Sequence, residues 1–360
     1  MSFFSDLFGK KKEASVVGID VGSSSLKVVQ LRREGGRAVL ETYGELALGP
    51  YAGSAVGQAT NLTADRIAET LVDLMREAKV TTTDAGISIP FSRSLLTLVE
   101  LPRRDNPSEQ RTIIEFEARK YIPVPVSEVQ LDWFIVPEPV AEGGALPAKV
   151  TVLIVAVHND ELALLQDIVG KAQLAASFYE IEVFSTIRSV VDEPVKPVLV
   201  IDIGASATKT YVVEHGVVAF SHNIPQGGQD VTRTLASAHG LSFDAAETEK
   251  KAYGFAGGGT YDRKTLELIY SRIFAEAGRV LEQFEREHHR AVAQIVLTGG
   301  GGVTRELIAY AKSIFAVDVL LADPFAKTEA PAFMRPVLAE IGPEFAVAVG
   351  LALRKLEEAG

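Results

Sequence analysis

The sequence predicts an α/β fold of two related domains around a cleft, with an inserted α+β subdomain in the first domain. One observation is a repeat: Val16–Lys27 returns as Leu199–Lys209, at a constant offset of 182 residues. Another is that residues 84–149 interrupt the first half with short strands, a charged helix and proline-rich turns. A chain of 360 residues, 47% of them hydrophobic, is also long enough to build two domains.

Each copy of the repeat predicts a buried strand, a tight turn and a second strand. Asp20 and Asp202 end the first strands, and Lys27 and Lys209 begin the second ones. The turns between them contain small residues: Gly22, Ser23, Ser24 and Ser25 in one copy, Gly204 and Ser206 in the other. Glycine lets backbone N–H groups approach an anion, small hydroxyl groups add donors, and an Asp at the strand end is placed to hold Mg²⁺ through water.

A single Asp-x-Gly-x-Ser turn after a strand is usually only a hairpin. Two copies in register, half a chain apart, favour phosphate binding instead, because two such hairpins facing each other would clamp a polyphosphate from both sides. The repeat therefore predicts a phosphate site between the two halves of the chain.

Bulk composition excludes several classes of protein. A net charge of −11 and a pI near 5.2 argue against a nucleic-acid-binding protein, which would need a basic face. The absence of cysteine excludes disulfides, thiolate metal sites and cysteine nucleophiles, and fits a reducing cytoplasm. We find no apolar run of membrane-spanning length and no signal peptide, so we expect a soluble protein. The six histidines show no spacing typical of a metal site.

The first 14 residues form a tail of different composition. Four apolar residues, Phe3, Phe4, Leu7 and Phe8, precede the lysine cluster 10–12. Such a segment could contact an anionic membrane surface. The favoured interpretation is a tail that is disordered or folds back onto the first domain.

The first domain is predicted at 15–83 and 150–195. Strands meander from Ser15 to Gly44 with a hairpin turn at Glu34–Arg37, and a helix follows from Thr63, its predicted cap, to Lys79. A strand is predicted from Phe178 to Phe184. Its alternation would place Glu180 and Glu182 on one side, where a carboxylate could orient a hydrolytic water; the alternative is a solvent-facing edge of the strand.

The inserted subdomain is predicted at 84–149. It opens with strands at Gly86–Pro90 and Leu95–Leu101, continues with a helix at Ser108–Tyr121 capped by Ser108, and includes a strand at Leu131–Pro137. We find no candidate catalytic residue in this block. Contact with other proteins is its expected use.

The second domain is predicted at 196–360, with an outer subdomain at about 228–290. A glycine turn at Gly228 opens a helix, and an exposed helix N-terminus offers N–H groups to a ligand. Glu247 and Lys250 stand one helical turn apart, which is also typical of a surface ion pair. The strand at 295–298 runs into four glycines, and backbone without Cβ atoms can lie flat against a purine and its ribose. A long helix, Thr265–Arg290, and a final helix, Glu344–Glu358, complete the domain.

In their order along the chain, these stretches resemble the actin-like ATPase superfamily, whose marks are two phosphate motifs, an adenosine motif and two connecting helices. Shorter stretches resemble the PilM family of type IV pilus assembly. They are Glu115–Pro123 with Asp132, Tyr179–Phe184 with Arg188, and Ala246-Glu247 with Lys250. The resemblance covers nearly the whole chain.

The resemblance implies that ATP or ADP binds with Mg²⁺, with slow or negligible turnover. Asp20 and Asp202 would then sit near the metal, and the small residues of both turns, with Lys27 and Lys209, would line the phosphates. Glu247 and Lys250 would reach the ribose. The nucleoside would be flanked by Gly228, Gly300, Gly301, Gly302 and Val303. One departure from the family pattern is Gln229-Asp230, where two amides are expected and a negative charge could weaken nucleotide affinity.

The resemblance also implies a partner. A groove between the inserted subdomain and the first domain would accept the short cytoplasmic N-terminus of PilN, a bitopic membrane protein. Other pilus platform proteins and assembly ATPases are further candidates. The protein would then be cytoplasmic and held at the inner membrane through its partners.

Two alternatives remain open. An FtsA-like cell-division adaptor also carries an inserted subdomain, but it should end in an amphipathic membrane-binding helix, and the sequence Leu356–Gly360 does not resemble one. A sugar or acetate-type kinase would need a base near the transferred phosphate, for which Glu182 is the candidate.

Overall fold

The structure, a computed structural model, describes residues 15–136, 147–192 and 196–358. The predicted tail at 1–14 lies outside the described residues. The strands are β1 (Ser15–Val21), β2 (Ser25–Glu34), β3 (Arg37–Ala47), β4 (Asp84–Ile89), β5 (Ser94–Pro102), β6 (Val129–Ile135), β7 (Lys149–His158), β8 (Ala175–Ile181), β9 (Val198–Ile203), β10 (Thr208–Glu214), β11 (Val217–Ile224), β12 (Gln294–Thr298) and β13 (Asp318–Leu321). The helices are α1 (Ala64–Glu77), α2 (Pro107–Ala118), α3 (Asn159–Lys171), α4 (Glu182–Val190), α5 (Gly228–His239), α6 (Phe243–Tyr253), α7 (Arg263–His288), α8 (Leu307–Ile314), α9 (Arg335–Ile341) and α10 (Ala346–Glu358).

Two five-stranded sheets share one topology. The first has the order β3-β2-β1-β4-β8 and the second the order β11-β10-β9-β12-β13. In each, three antiparallel strands are followed by two parallel ones. The prediction of two related α/β units is confirmed, because a repeat in the sequence has become a repeat in strand order.

Helix α10 packs against the first sheet because β1 carries a glycine at the contact. A Cβ on Gly18 would lie 2.0 Å from the carbonyl oxygen of Ala348, so only glycine allows this approach. Helices α10 and α4 meet in the same way, since a Cβ on Gly350 would lie 1.8 Å from the Ser185 carbonyl oxygen. Below these helices one apolar core receives buried side chains from both sheets, among them Ile19 and Val200.

A third sheet, with the order β5-β7-β6, is covered by α2. The strands of this third sheet are not the ones that the predicted bounds of the inserted subdomain, 84–149, would enclose. Strand β4 pairs with β1 in the first sheet, and β7 pairs with β5 and β6 in the third. Both are buried apolar strands, and such a pattern does not reveal which sheet receives the strand. We therefore propose that the inserted unit runs from about 91 to 158.

Helix ends differ from the prediction at two places. Asn106 caps α2, because its side chain accepts a hydrogen bond from the Ser108 N–H at 2.9 Å; the predicted cap at Ser108 is wrong. Pro107 then occupies the first helical turn, where its missing N–H costs nothing. Thr63 precedes α1 as expected, but its side chain makes no capping hydrogen bond. The final helix starts at Ala346 after a 3-10 turn, Gly342–Phe345.

One segment of the described residues, Ala332–Glu357, is long and apolar enough to cross a membrane by length and composition, which the sequence analysis did not expect. However, 67% of its apolar window is buried inside the structure. The segment contains α9 and α10, and α10 packs on β1, β2 and β4. Its apolar character is accounted for by this core position.

Candidate nucleotide-binding cleft

A cavity of about 900 Å³ lies between the two repeated hairpins. Its size is within the range of small-molecule sites. Nearly all of the predicted site residues line it: Asp20, Gly22, Ser23, Ser24, Ser25, Lys27, Glu182, Asp202, Gly204, Ser206, Lys209, Gly228, Glu247, Lys250, Gly300 and Gly301. Gly302 and Val303 are not among the lining residues.

The β1–β2 and β9–β10 hairpins match in register. Asp20 lies opposite Lys27, and Asp202 lies opposite Lys209. In both turns the glycine N–H donates to a backbone carbonyl three residues on, at 3.1 Å for Gly22 and 3.0 Å for Gly204. The Ser23 and Ser206 hydroxyl groups meet across the cleft at 3.1 Å. The two turns therefore face each other, as the repeat predicts.

The two aspartates are held differently. Asp20 accepts a hydrogen bond from the Ser88 hydroxyl at 3.2 Å, and burial raises its pKa to about 6 despite the opposing charge of Lys27. Asp202 lies 3.4 Å from the Lys209 ammonium group. Both carboxylates are buried in the cleft wall.

Each hairpin lysine is neutralised by a carboxylate. Lys27 lies 3.1 Å from Glu45 on β3, and Lys209 lies 2.7 Å from Glu182. Burial lowers the pKa of each lysine, but the neighbouring carboxylates outweigh it and raise both pKa values above the usual range. Both lysines are therefore fully charged at neutral pH.

Glu180 and Glu182 do not share a strand face, so that prediction is wrong. Strand β8 ends at Ile181, and Glu182 is the first residue of α4. Glu182 lies in the cleft, where one oxygen accepts from Lys209 and the other from the Phe91 N–H at 2.7 Å. Glu180 instead holds Arg188 at 2.8 Å and Arg354 at 3.0 Å, linking α4 to α10.

The Glu247–Lys250 pair is buried in the cleft wall, with residue exposures of 7% and 8%, so it is not a surface ion pair. The two charged groups lie 2.7 Å apart. Lys250 also donates to the Gly228 carbonyl at 3.1 Å and to the Thr232 hydroxyl at 2.8 Å. Burial lowers the pKa of Lys250, in part against the attraction of Glu247. The pair ties α6 to the start of α5.

The glycine run after β12 forms a tight turn. Gly299 has a φ of +80°, and a Cβ there would lie 2.4 Å from the Asp202 carboxylate. Gly300 and Gly301 present their backbone to the cavity. Gly302 serves the turn itself, because a Cβ at that position would lie 2.6 Å from the Thr298 carbonyl oxygen.

Asp230 adds no charge to the cavity wall. Its carboxylate accepts from the Gly227 N–H at 2.9 Å and lies 3.5 Å from Arg233, so it caps its own helix. Gln229 does line the cavity, and its side-chain oxygen accepts from the Ala59 N–H at 3.2 Å. This contact joins the second domain to the loop before α1.

Comparison with known proteins decides the family. The model of the family described as type IV pilus assembly protein PilM matches residues 18–356. The chain belongs to the PilM family. Cell division protein FtsA of Neisseria meningitidis serogroup B is 27% identical over 351 residues, covering 85% of this chain and 82% of that protein.

Solved structures confirm the actin-like fold. A chain of a PilM–PilN type IV pilus biogenesis complex has a TM-score of 0.80 at 24% identity, covering 96% of this chain and 99% of that one. MreB5 of Spiroplasma citri, solved bound to AMPPNP, has a TM-score of 0.55 at 12% identity, covering 96% and 97%. Proteins of this fold thus include one that binds a nucleotide.

In this PilM-family cleft the donor groups fit a magnesium nucleotide better than a metal alone. Among the residues that the structure describes, no group of three or more His, Cys, Asp or Glu side chains could hold a metal ion. Asp20 and Asp202 are two carboxylates at the ends of facing strands. Mg²⁺ is usually bound through one or two carboxylates, several waters and the phosphates of its substrate.

The PilM-family cleft also contains residues that the sequence analysis missed. Ser88 orients Asp20, and Glu45 pairs with Lys27. Glu344, in the turn before α10, lines the same wall. Burial, followed by the charge of Glu45, raises the pKa of Glu344 to about 7. None of these residues belongs to a repeated motif; only the pairing of β2 with β3 could have pointed to Glu45.

Proposed function

We propose that this PilM-family protein binds ATP or ADP with Mg²⁺ in the cleft and acts in type IV pilus assembly as a nucleotide-gated binding protein. The observation that carries the proposal is the pair of hairpins matched in register. They bring two aspartates, two lysines and two small-residue turns to opposite sides of one cavity. Such an arrangement suits a polyphosphate approached from both sides.

The roles follow from position. Asp20 and Asp202 would hold Mg²⁺ through water, and the turns would direct backbone N–H and hydroxyl groups at the phosphates. Glu247 and Lys250 would face the ribose. Bound Mg²⁺ would supply the positive charge that this cavity, rich in carboxylates, needs in order to hold an anionic nucleotide.

The nucleoside would lie against the backbone of Gly228, Gly300 and Gly301, which line the cavity. Gly302 and Val303 would support that turn from behind, since neither lines the cavity. The contact of Gly302 and Val303 with the nucleoside stays a prediction from the sequence.

We infer slow or negligible turnover, because Glu182 is poorly placed to act as a free base. Both of its oxygens already accept hydrogen bonds, from Lys209 and from the Phe91 N–H. To act as a general base, Glu182 would have to share or release one of these two contacts while it takes a proton. These two contacts also disfavour a kinase, for which Glu182 is the candidate base.

We further propose that the partner is the cytoplasmic N-terminus of a PilN-type membrane protein, which would hold this protein at the inner membrane. The solved PilM–PilN complex supports this partner. The inserted unit also exposes three aromatic side chains, Phe116, Tyr121 and Phe134, at 62%, 44% and 51%. Exposed aromatic groups are typical of protein-binding surfaces.

An FtsA-like adaptor is the second candidate, supported by the FtsA relative at 27% identity. A test that separates the two measures the affinity of the purified protein for a synthetic PilN N-terminal peptide and for the division tubulin, each with and without Mg-ATP. The proposal predicts that the peptide binds and that its affinity changes with Mg-ATP. Binding of the tubulin instead, with no peptide binding, would reject the pilus role.

Phosphate release is measured in the same samples. Rates of roughly 1 to 10³ per second, which are ordinary for enzymes, would reject the inference of negligible turnover.

A further inference from the structure

Glu182 joins three parts of the molecule. It begins α4 of the first domain, and one carboxylate oxygen holds Lys209 of the second domain's hairpin at 2.7 Å. The other oxygen holds the N–H of Phe91 at 2.7 Å. Phe91 is the first residue after β4 and Pro90, where the chain enters the inserted unit. Both partners of the ion pair are largely buried, with side-chain exposures of 17% for Lys209 and 11% for Glu182.

The strand that leads into the inserted unit is also tied to the first hairpin. Ser88 on β4 donates to Asp20 at 3.2 Å and accepts from the Val21 N–H at 2.9 Å. Two residues later comes Pro90, which lines the cavity. Thus both hairpins reach the entry of the inserted unit, one through Ser88 and the other through Glu182.

A second anchor of this entry, at Arg93, forms its ion pairs within the described residues with α3 and with neither hairpin. Arg93 binds Glu161 at 3.0 Å and Asp160 at 3.2 Å, both at the start of α3. Glu161 is a buried carboxylate that lines the same cavity as Glu182. It is therefore a matched control: it holds the inserted unit but does not bind Lys209.

An anion placed between the hairpins competes with Glu182 for Lys209. Charge interactions are strong at buried sites, so a phosphate near the ammonium group weakens the Lys209–Glu182 pair. With Lys209 drawn toward the anion, the Phe91 N–H is the remaining hydrogen-bond donor to Glu182. The strength of the hydrogen bond at Phe91, where the chain enters the inserted unit, therefore depends on whether the anion is bound.

We propose that Glu182 is a positioning residue that couples occupancy of the phosphate site to the inserted unit. This rests on the proposed function, in which a nucleotide fills the cleft and the inserted unit contacts the partner. It assigns to Glu182 the regulation of partner binding in place of the catalytic role predicted from the sequence.

The test is hydrogen–deuterium exchange of the full chain with and without Mg-AMPPNP, at a nucleotide concentration that saturates each variant. The peptide that includes the Phe91 N–H is the reporter. Wild type should show a change in exchange of about fivefold or more at this peptide, the lower range of allosteric coupling. Glu182→Gln keeps a hydrogen-bond acceptor but loses the charge, so the change should vanish. Glu161→Gln should keep it.

A second variant keeps the test decisive if Glu182→Gln fails to fold. Lys209→Met removes the other half of the ion pair and should also abolish the nucleotide-dependent change at Phe91. A nucleotide-loaded Glu182→Gln or Lys209→Met protein that keeps the wild-type change would overturn the coupling and leave the proposed function intact. Wild type that binds nucleotide without a change in exchange at the Phe91 peptide would also overturn the coupling and leave the proposed function intact. Wild type that binds no nucleotide would overturn both.

Discussion

The two repeated hairpins, β1–β2 and β9–β10, are alike in sequence and register, but their lysines pair with different carboxylates. Lys27 pairs with Glu45, which lies opposite it on the neighbouring strand β3. The residue opposite Lys209 on β11 is Asn223, which carries no charge. Lys209 therefore pairs with Glu182 across the cleft. Lys27 thus pairs with a carboxylate of its own domain, while Lys209 has Asp202 of its own hairpin at 3.4 Å and a closer partner, Glu182 of the first domain, at 2.7 Å.

The residues beside the two aspartates on the neighbouring strands also make different contacts. Ser88 gives its hydroxyl to Asp20, whereas Thr298, paired with Asp202 on β12, gives its hydroxyl to the Pro343 carbonyl at 3.0 Å. Pro343 lies in the turn that leads into α10. A repeated motif thus fixes the geometry of a site, and the unrepeated neighbours decide which parts of the protein respond to it.

The largest expected effect separates the two ion pairs. Glu182→Ala leaves Lys209 buried with only Asp202 nearby and removes the acceptor of the Phe91 N–H, so the free energy of unfolding should fall by about 3 kcal/mol. Glu45→Ala should cost less, about 1 kcal/mol, because the Glu45 side chain is 37% exposed and water can partly replace it beside Lys27, whose side chain is 12% exposed. Denaturant unfolding of both variants measures the difference; equal losses would contradict the comparison.

The raised pKa of Asp20 predicts that the stability of the protein depends on pH. A buried carboxyl whose folded pKa is about 6, above its usual 3.8, is protonated more readily in the folded state. Its ionisation therefore lowers the stability of the metal-free protein as the pH rises from about 4 to about 6. Asp20→Asn should match wild type near pH 4 and be more stable at pH 7.5, by about 2 kcal/mol.

Thermal unfolding in a chelator, at several pH values, tests this prediction. A constant difference between Asp20→Asn and wild type at every pH would show that burial does not raise the Asp20 pKa.

Both aspartates should support magnesium. Replacing either one with Asn should weaken Mg-ATP binding by about tenfold, the lower range for losing a group that orients a metal's bound water. Binding of ATP in a chelator should change much less, since the metal is the group they hold. Calorimetric titrations with and without Mg²⁺ provide the two affinities. Equal weakening in both conditions would mean that the aspartates act on the nucleotide without a metal.

The smallest effect concerns the contact between the turns. The Ser23 and Ser206 hydroxyl groups are partly exposed, so their hydrogen bond should contribute about 0.5 kcal/mol in the nucleotide-free protein. A double-mutant cycle of Ser23→Ala and Ser206→Ala measures this coupling. A coupling well above 1 kcal/mol would mean that the turns hold the domains together more strongly than the ion pair comparison implies.

The repeated motif was enough to predict which hairpin residues lie together in the cleft. It could not predict the residues outside the motif that pair with them. Asp20, Asp202, Lys27 and Lys209 lie where the repeat places them. Glu45 was missed for a specific reason: the pairing of β2 with β3 shifts by one residue between Gln30 and Leu31. Counting straight back from the turn at Glu34–Arg37 would put Gly44 opposite Lys27.

The fold was predictable to the level of two related α/β units with an insertion. Sheet membership of β4 and β7 was not, because continuous apolar runs fit any buried sheet. The end of β8 at Ile181 was missed as well, since alternation through Phe184 continues the strand pattern into the first turn of α4. That one error placed Glu182 on a strand face instead of at the junction of three parts of the molecule.

The central claim is that the two hairpins clamp a magnesium nucleotide. A crystal structure of the protein grown with Mg-AMPPNP tests it most directly. The account predicts phosphates between the turns that carry Ser23 and Ser206, with the metal on the side of Asp20 and Asp202. A nucleotide bound away from both hairpins, or a cleft that stays closed by the Lys209–Glu182 pair at saturating nucleotide, would contradict it.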